Sequence, residues 1–294
     1  MLKSKRTHVW LFFASVYILS GLLWAPVVLS GRGIATPINK VLVVLVAFTP
    51  SVAGIVFTYL SKDRAARSDF WRRVFRWPRG HTWMAIAALS LLPILEIVCM
   101  VLPGLWGEPL PPLGYAFQVL RDWKMLLQFL AVEFFLGAVS EELGWRGYAL
   151  DELQSRWSAL KSSLVLGFIW AIWHTPAFLV PGLSQYEWGG IFSWPYVAFI
   201  LAVTAASTLH TWAYNNTGRS ILVAGILMHF LKNAAVIFMA GIFDQFAVSR
   251  GYWIVLPAVY ILVVAVIVAI WGPETLARQP GARAGTSQPS SPVA

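Results

Sequence analysis

Four short segments stand out, three of them carrying residue types that do chemistry where an apolar run would be expected to exclude them. The first is Ser140-Glu141-Glu142-Leu143-Gly144-Trp145-Arg146. Glu142 and Arg146 are four apart on a helix with the acid on the N-terminal side, the favourable order for an ion pair. Such a pair would hold Glu142 ionised and fix its rotamer. Glu141 lies about 100° further round the helix, so the two carboxylates are expected to have different jobs. One braces the site and the other faces a cavity. Taken alone, the segment also fits a charged helix end at the membrane surface.

The second segment is Trp170-Ala171-Ile172-Trp173-His174-Thr175-Pro176. Pro176 removes a backbone donor just after His174, so the helix is expected to bend or open there. A lone histidine of this kind is more often a packing residue. The third is His229-Phe230-Leu231-Lys232-Asn233. His229 and Asn233 are four apart and project from one face. They suit either a polar cavity wall or interhelical hydrogen bonding. The fourth, Tyr214 to Arg219, reads as a short turn with no chemistry assigned, since Asn and Gly tolerate its dihedrals. Glu96, Glu133 and Lys232 are also embedded in apolar sequence. Opposite charge suggests that Glu133 pairs with Lys232. His8, His81 and His210 fall near expected membrane interfaces and are given no role.

Together, two Glu, one Arg, two His and one Asn make a kit for amide hydrolysis without a nucleophilic Ser or Cys. A carboxylate and a histidine can activate water, and His and Asn donors can stabilise an oxyanion. The competing use is zinc, with Glu141, His174 and His229 as three ligands and one position open. No His-Glu-x-x-His motif is present. The sequence leaves the metal and metal-free versions open, and no other cofactor is implied.

The elements that must position these groups are membrane spans. The chain has 294 residues, 58% hydrophobic and 12% charged, with mean hydropathy +0.68; soluble domains carry about 25% charged residues. About 20 apolar residues cross the hydrocarbon core. Eight candidates meet this: Val9–Leu29, Val41–Leu60, Trp83–Leu102, Lys124–Ala149, Lys161–Val180, Ile191–Trp212, Ser220–Ala240 and Tyr252–Trp271. The expected fold is an all-α polytopic bundle, one transmembrane domain over 1–271 with a catalytic core at about 125–240. A disordered tail is expected over 272–294, where Pro, Ser, Gly and Ala dominate from Gln279 onward. The first run could pass for a signal peptide, but its apolar core is too long and no small-x-small cleavage site follows.

The net charge of +9 is uneven. The stretch Lys62 to Arg79 is its densest part. Basic loops mark the cytoplasmic side. The N-terminus, the Lys62–Arg79 loop, the Arg146–Lys161 connection, the Arg219 turn and the tail all fall on one side, which places both termini in the cytoplasm. Trp71, Arg72, Arg73, Phe75, Arg76 and Trp77 read as either an interfacial amphipathic segment or a plain loop. Charge separated from long apolar runs argues against a nucleic-acid partner. Lipid and a peptide or protein substrate are the expected partners. The single cysteine, Cys99, excludes an intramolecular disulfide and reads as a core or lipid-facing residue.

The segments EELGWRG, WAIWH and HFLKN, in this order, resemble the three motifs of the CAAX protease and bacteriocin-processing (Abi) family of intramembrane endopeptidases, related to type II CAAX prenyl endopeptidases. Those motifs are Glu-Glu-x-x-x-Arg, Phe-x-x-x-His and His-x-x-x-Asn (or Asp). The resemblance covers about Phe129 to Ala240, including TWAYNNTGRS. It implies that Glu141 and His174 activate water, that Glu142 and Arg146 hold the site in shape, and that His229 and Asn233 form the oxyanion side. Trp170 stands where the family usually has Phe; as an aromatic it would fill the same packing role, and as a larger one it would narrow the cavity. The family has been described both as metalloproteases and as glutamic proteases, so the resemblance does not choose on zinc. It implies a multi-pass protein of a prokaryotic plasma membrane. Two other classes use the same residues: a transporter with a proton relay, and a non-catalytic chaperone or immunity factor on the same scaffold.

Overall fold

The computed structural model describes residues 5–241 and 248–277, with side chains from residue 8 onward. Of the disordered tail expected over 272–294, residues 278–294 lie outside the described residues, while 272–277 pack on the bundle, with Leu276 buried and Thr275 O accepting from Asn215. Several helices begin where the sequence offers a side-chain oxygen to the first free amides. Thr36 caps α2 (Pro37–Ser61) through Asn39 N, Asp63 caps α3 (Arg64–Val74) through Ala66 N, and Asp122 caps the start of α6. Before and after these lie α1 (Lys5–Ser30), α4 (Thr82–Val101) and α5 (Gly114–Arg121). The sixth helix, α6, is one continuous rod from Trp123 to Gln154. Ser158 caps α7 (Ala159–Trp173), and Ser193 caps α8 (Trp194–Asn216). The bundle is completed by α9 (Leu222–Ala240) and α10 (Arg250–Trp271), the latter capped by Ser249.

Eight helical segments are long and apolar enough to cross a membrane, and they coincide with the eight expected spans. The chain is an integral, multi-pass membrane protein. The fourth span runs past its expected end at Ala149 to Gln154. Arg146 lies inside it and is no loop charge; its side chain is fully buried. The i,i+4 pair with Glu142 is strong enough to carry the guanidinium into the bundle.

One end of the bundle collects the basic loops. Arg73 of α3 and Arg219 both bind Asp151 near the end of α6, at 2.9 and 2.6 Å. Tyr214 donates to the same carboxylate at 2.8 Å. Asn215 reaches the Thr275 carbonyl, and Ala159 N bonds Glu274 O. The Tyr214–Arg219 turn is therefore part of an ionic clasp. Arg219 is held there at φ 63°, a conformation costly for a residue with a side chain. Partial burial pushes the Asp69 carboxyl of the same clasp up. The Arg72 hydrogen bond and the charges of Arg73, Arg219 and Arg72 outweigh this and hold it below its ordinary value. The short helix α3 carries exposed Phe75 and Trp77 beside it, as an interfacial segment would. Cys99 is fully buried in the core.

Small residues bring α2 and α6 together. A Cβ on Gly144 would lie 2.2 Å from the Pro50 carbonyl oxygen, and one on Gly54 would lie 2.6 Å from the Gly144 Cα. The two backbones are in van der Waals contact, the close approach that small residues permit between membrane helices.

Candidate active site

Three stretches of π-helix bracket the polar residues. Glu133–Val139 precedes the two glutamates, Trp145–Ala149 contains Arg146, and Leu222–Leu227 precedes His229. A π-turn interrupts the i to i−4 ladder and frees backbone groups, which need other partners. Ser51 supplies them in α6: its hydroxyl donates to Val139 O at 2.7 Å and accepts from Leu143 N at 3.2 Å. These are the two groups that an α-helical turn would have joined. In α9 the Ala224 carbonyl meets His210 Nδ1. Hydroxyl and imidazole insertions thus hold the irregular turns that aim the site.

The two carboxylates separate as the helix spacing demands. Glu142 is fully buried and takes Arg146 Nη1 at 2.7 Å on Oε1. The same oxygen lies 2.8 Å from His229 Nδ1. Gly225 makes room for this group, since a Cβ there would sit 3.1 Å from Glu142 Oε2. Glu141 turns the other way. Its Oε2 accepts from the indole N–H of Trp170 at 2.5 Å and of Trp145 at 3.2 Å. Its Oε1 faces His174 Nε2 across 3.8 Å.

His174 closes α7, and the chain continues as a 3-10 turn, Thr175–Leu179, with Pro176 at its start. The helix stops where the proline required. His174 Nδ1 lies 2.9 Å from the Trp170 carbonyl. A carbonyl only accepts, so Nδ1 carries the proton and the neutral ring presents the lone pair of Nε2 to Glu141.

Glu141, His174, His229, Lys232 and Asn233 all line one cavity of about 300 Å³, walled mainly by aromatic and aliphatic side chains. Glu142 and Arg146 stand behind it. Of the six residues singled out from sequence, four meet at the cavity and two form its support. The expected Glu133–Lys232 pair is replaced. Lys232 lies 3.9 Å from Glu96 Oε1, while Glu133 hydrogen-bonds Asn233. Consecutive positions on α9 point to different neighbours, 232 toward α4 and 233 toward α6.

Three features were missed. His210 is buried, with its ring 6.0 Å from Trp170 and 6.3 Å from His229. Glu96 accepts from Tyr252 at 3.0 Å and Tyr260 at 2.7 Å; the two tyrosines, eight apart on one helix, were its signal. Trp170 does more than pack, because its N–H bonds Glu141. Among the described residues, no three His, Cys, Asp or Glu side chains are close enough together to hold a metal ion. His229 turns Nδ1 to Glu142, and Glu141 Oε2 is taken by two indoles. Zinc on Glu141, His174 and His229 would have to use Oε1 of Glu141 and Nε2 of both histidines, since Nδ1 of each ring is already engaged.

Residues 122–235 match the family model of the type II CAAX prenyl endopeptidase Rce1-like proteins. The motif region is similar to the Rce1-like domain. A CAAX prenyl protease 2 of Methanococcus maripaludis is 28% identical over 265 residues, covering 89% of this chain and 96% of the relative. The Rce1-like match supports an intramembrane endopeptidase, and it spans all six site residues and the three π-helical stretches.

Proposed function

We propose that this protein hydrolyses a peptide bond within the membrane by a metal-free mechanism in which Glu141 and His174 activate water. The observation that carries the reading is the 3.8 Å facing of Glu141 Oε1 and His174 Nε2 at the wall of an apolar cavity. That separation is too long for a direct hydrogen bond. It suits one water that donates a proton to each. Both groups are acceptors in this state, so the water's lone pair is left to point into the cavity.

As the oxygen attacks the scissile carbonyl carbon, its proton passes to the Glu141–His174 pair. The carbonyl oxygen becomes an oxyanion opposite, next to His229 and Asn233. His229 already gives its Nδ1 proton toward Glu142. To donate from Nε2 as well, its ring must hold a second proton. Collapse of the tetrahedral intermediate breaks the C–N bond, and the proton held by the pair moves to the leaving amine. Glu142 and Arg146 take no part in proton transfer; they hold His229 and the turn of α6.

The relative's name makes a prenylated peptide ending in a CAAX sequence the first substrate to assay. We place the protein in a prokaryotic plasma membrane with both ends cytoplasmic, because the basic loops gather at one end of the bundle.

Cleavage in proteoliposomes tests the reading. Glu141→Gln is expected to lower kcat by at least about 10²-fold, the scale of a lost general base, and chelator is expected to leave the wild-type rate unchanged. Equal cleavage by the variant would remove Glu141 from its role. Loss on chelation with rescue by zinc would overturn the metal-free mechanism.

A further inference from the structure

Trp170 touches more of the site than any residue with an assigned role. Its indole N–H donates to Glu141 Oε2 at 2.5 Å. Its carbonyl lies 2.9 Å from His174 Nδ1. The Arg146 guanidinium lies over its ring at 4.2 Å. Its ring meets His229 edge-on at 5.3 Å. It is buried, at 4% exposure.

We infer that the Trp170 and Trp145 indoles form a donor clamp on Glu141 Oε2 that turns Oε1 toward His174, making Trp170 a positioning residue for the hydrolysis. This rests on the proposed role of Glu141.

The two oxygens of a free carboxylate are interchangeable by rotation. Here Oε2 is fixed by two N–H donors and Oε1 by none, so the rotation is blocked and one oxygen is assigned to the water. An indole suits this work for an electrostatic reason. It stabilises the carboxylate with a dipole, gives up no proton at neutral pH and adds no charge. A cation at the same place would pair with Glu141 and weaken it as a base.

The nearby cation is kept apart by the same ring. Arg146 stacks on the Trp170 face and bonds Glu142, while Glu141 meets the Trp170 edge. The indole is a partition between a carboxylate that is neutralised and one that is not. The carbonyl of the same residue fixes the His174 tautomer, so both water acceptors are set by one side chain and its backbone.

The test keeps the shape and removes the N–H. Trp170 is replaced by 3-benzothienylalanine, in which sulfur stands for the indole N–H, and in parallel by Phe. Both are expected to lower kcat in proteoliposomes by about 10- to 100-fold, the loss of one hydrogen bond to a charged group, with KM within about twofold. A benzothienyl variant with wild-type kcat, or a rise in KM alone, overturns the inference. A second readout needs no activity. In 15N-tryptophan protein the Trp170 indole proton is expected to move upfield on Glu141→Ala, and an unmoved resonance overturns the clamp. Should the wild type fail to cleave, the catalytic reading falls and this resonance still decides the clamp.

Discussion

At the scale of residues, the molecule divides labour between neighbours in sequence. Glu142 has a cation and an imidazole on one oxygen inside a site with no exposure. Removing its charge leaves Arg146 buried and unpaired, which typically costs about 3–5 kcal/mol. Glu142→Gln is therefore expected to lower the thermal midpoint in detergent markedly. Glu141→Gln keeps an oxygen for the two indoles and leaves no cation bare, so its midpoint is expected to stay close to the wild type while cleavage is lost. The reverse pattern would exchange the two roles. This split was legible beforehand, because a 100° step and an i,i+4 pair follow from helix geometry alone. The indole donors were not. Trp145 carries no reading and Trp170 reads only as a replacement for Phe, since nothing in a linear pattern says which way an N–H points.

Elements explain the rest of what was hidden. Hydropathy found all eight spans, because hydrocarbon thickness imposes a length that a sequence displays. It did not find the π-turns, whose existence depends on a serine and a histidine arriving from other helices. It also counts Arg146 with the connecting loop, because a charged residue usually marks a boundary and Arg146 does not. The α2–α6 contact offers a test at this scale. Gly144→Ala must push the helices apart, since its Cβ would meet Pro50 O at 2.2 Å. The expected cost is about 1–3 kcal/mol, read as a lower thermal midpoint, with a loss of cleavage as Ser51 leaves α6. Gly21→Ala is the control; a Cβ there meets nothing within 4 Å and should change neither quantity.

For the whole molecule, the arrangement of charge carries the prediction. The loops after α2, α6, α8 and α10 meet at one end through Asp151, Arg73, Arg219 and the Thr275 carbonyl. By the bias of basic residues this is the end we propose to face the cytoplasm. A reporter fused after Leu60 is expected to be active only on the cytoplasmic side, and an external signal would invert the orientation. The turn at Arg219 shows the limit of reading loops by composition. Its residues read as a turn with no chemistry, yet they bind Asp151 and Gln154 of α6 and the Thr275 and Leu276 carbonyls after α10.

The early end of α7 bears on the surrounding lipid. Fifteen helical residues rise about 22 Å, less than the roughly 30 Å of hydrocarbon that a span must cross. The remaining depth is filled by the 3-10 turn after His174, irregular backbone that a membrane tolerates where it lines a cavity. On this flank the protein fits a thin bilayer better than a thick one. Acyl-chain length then becomes a control on catalysis: lipids that thicken the leaflet stretch the flank beside His174, and cleavage is expected to slow as chains lengthen.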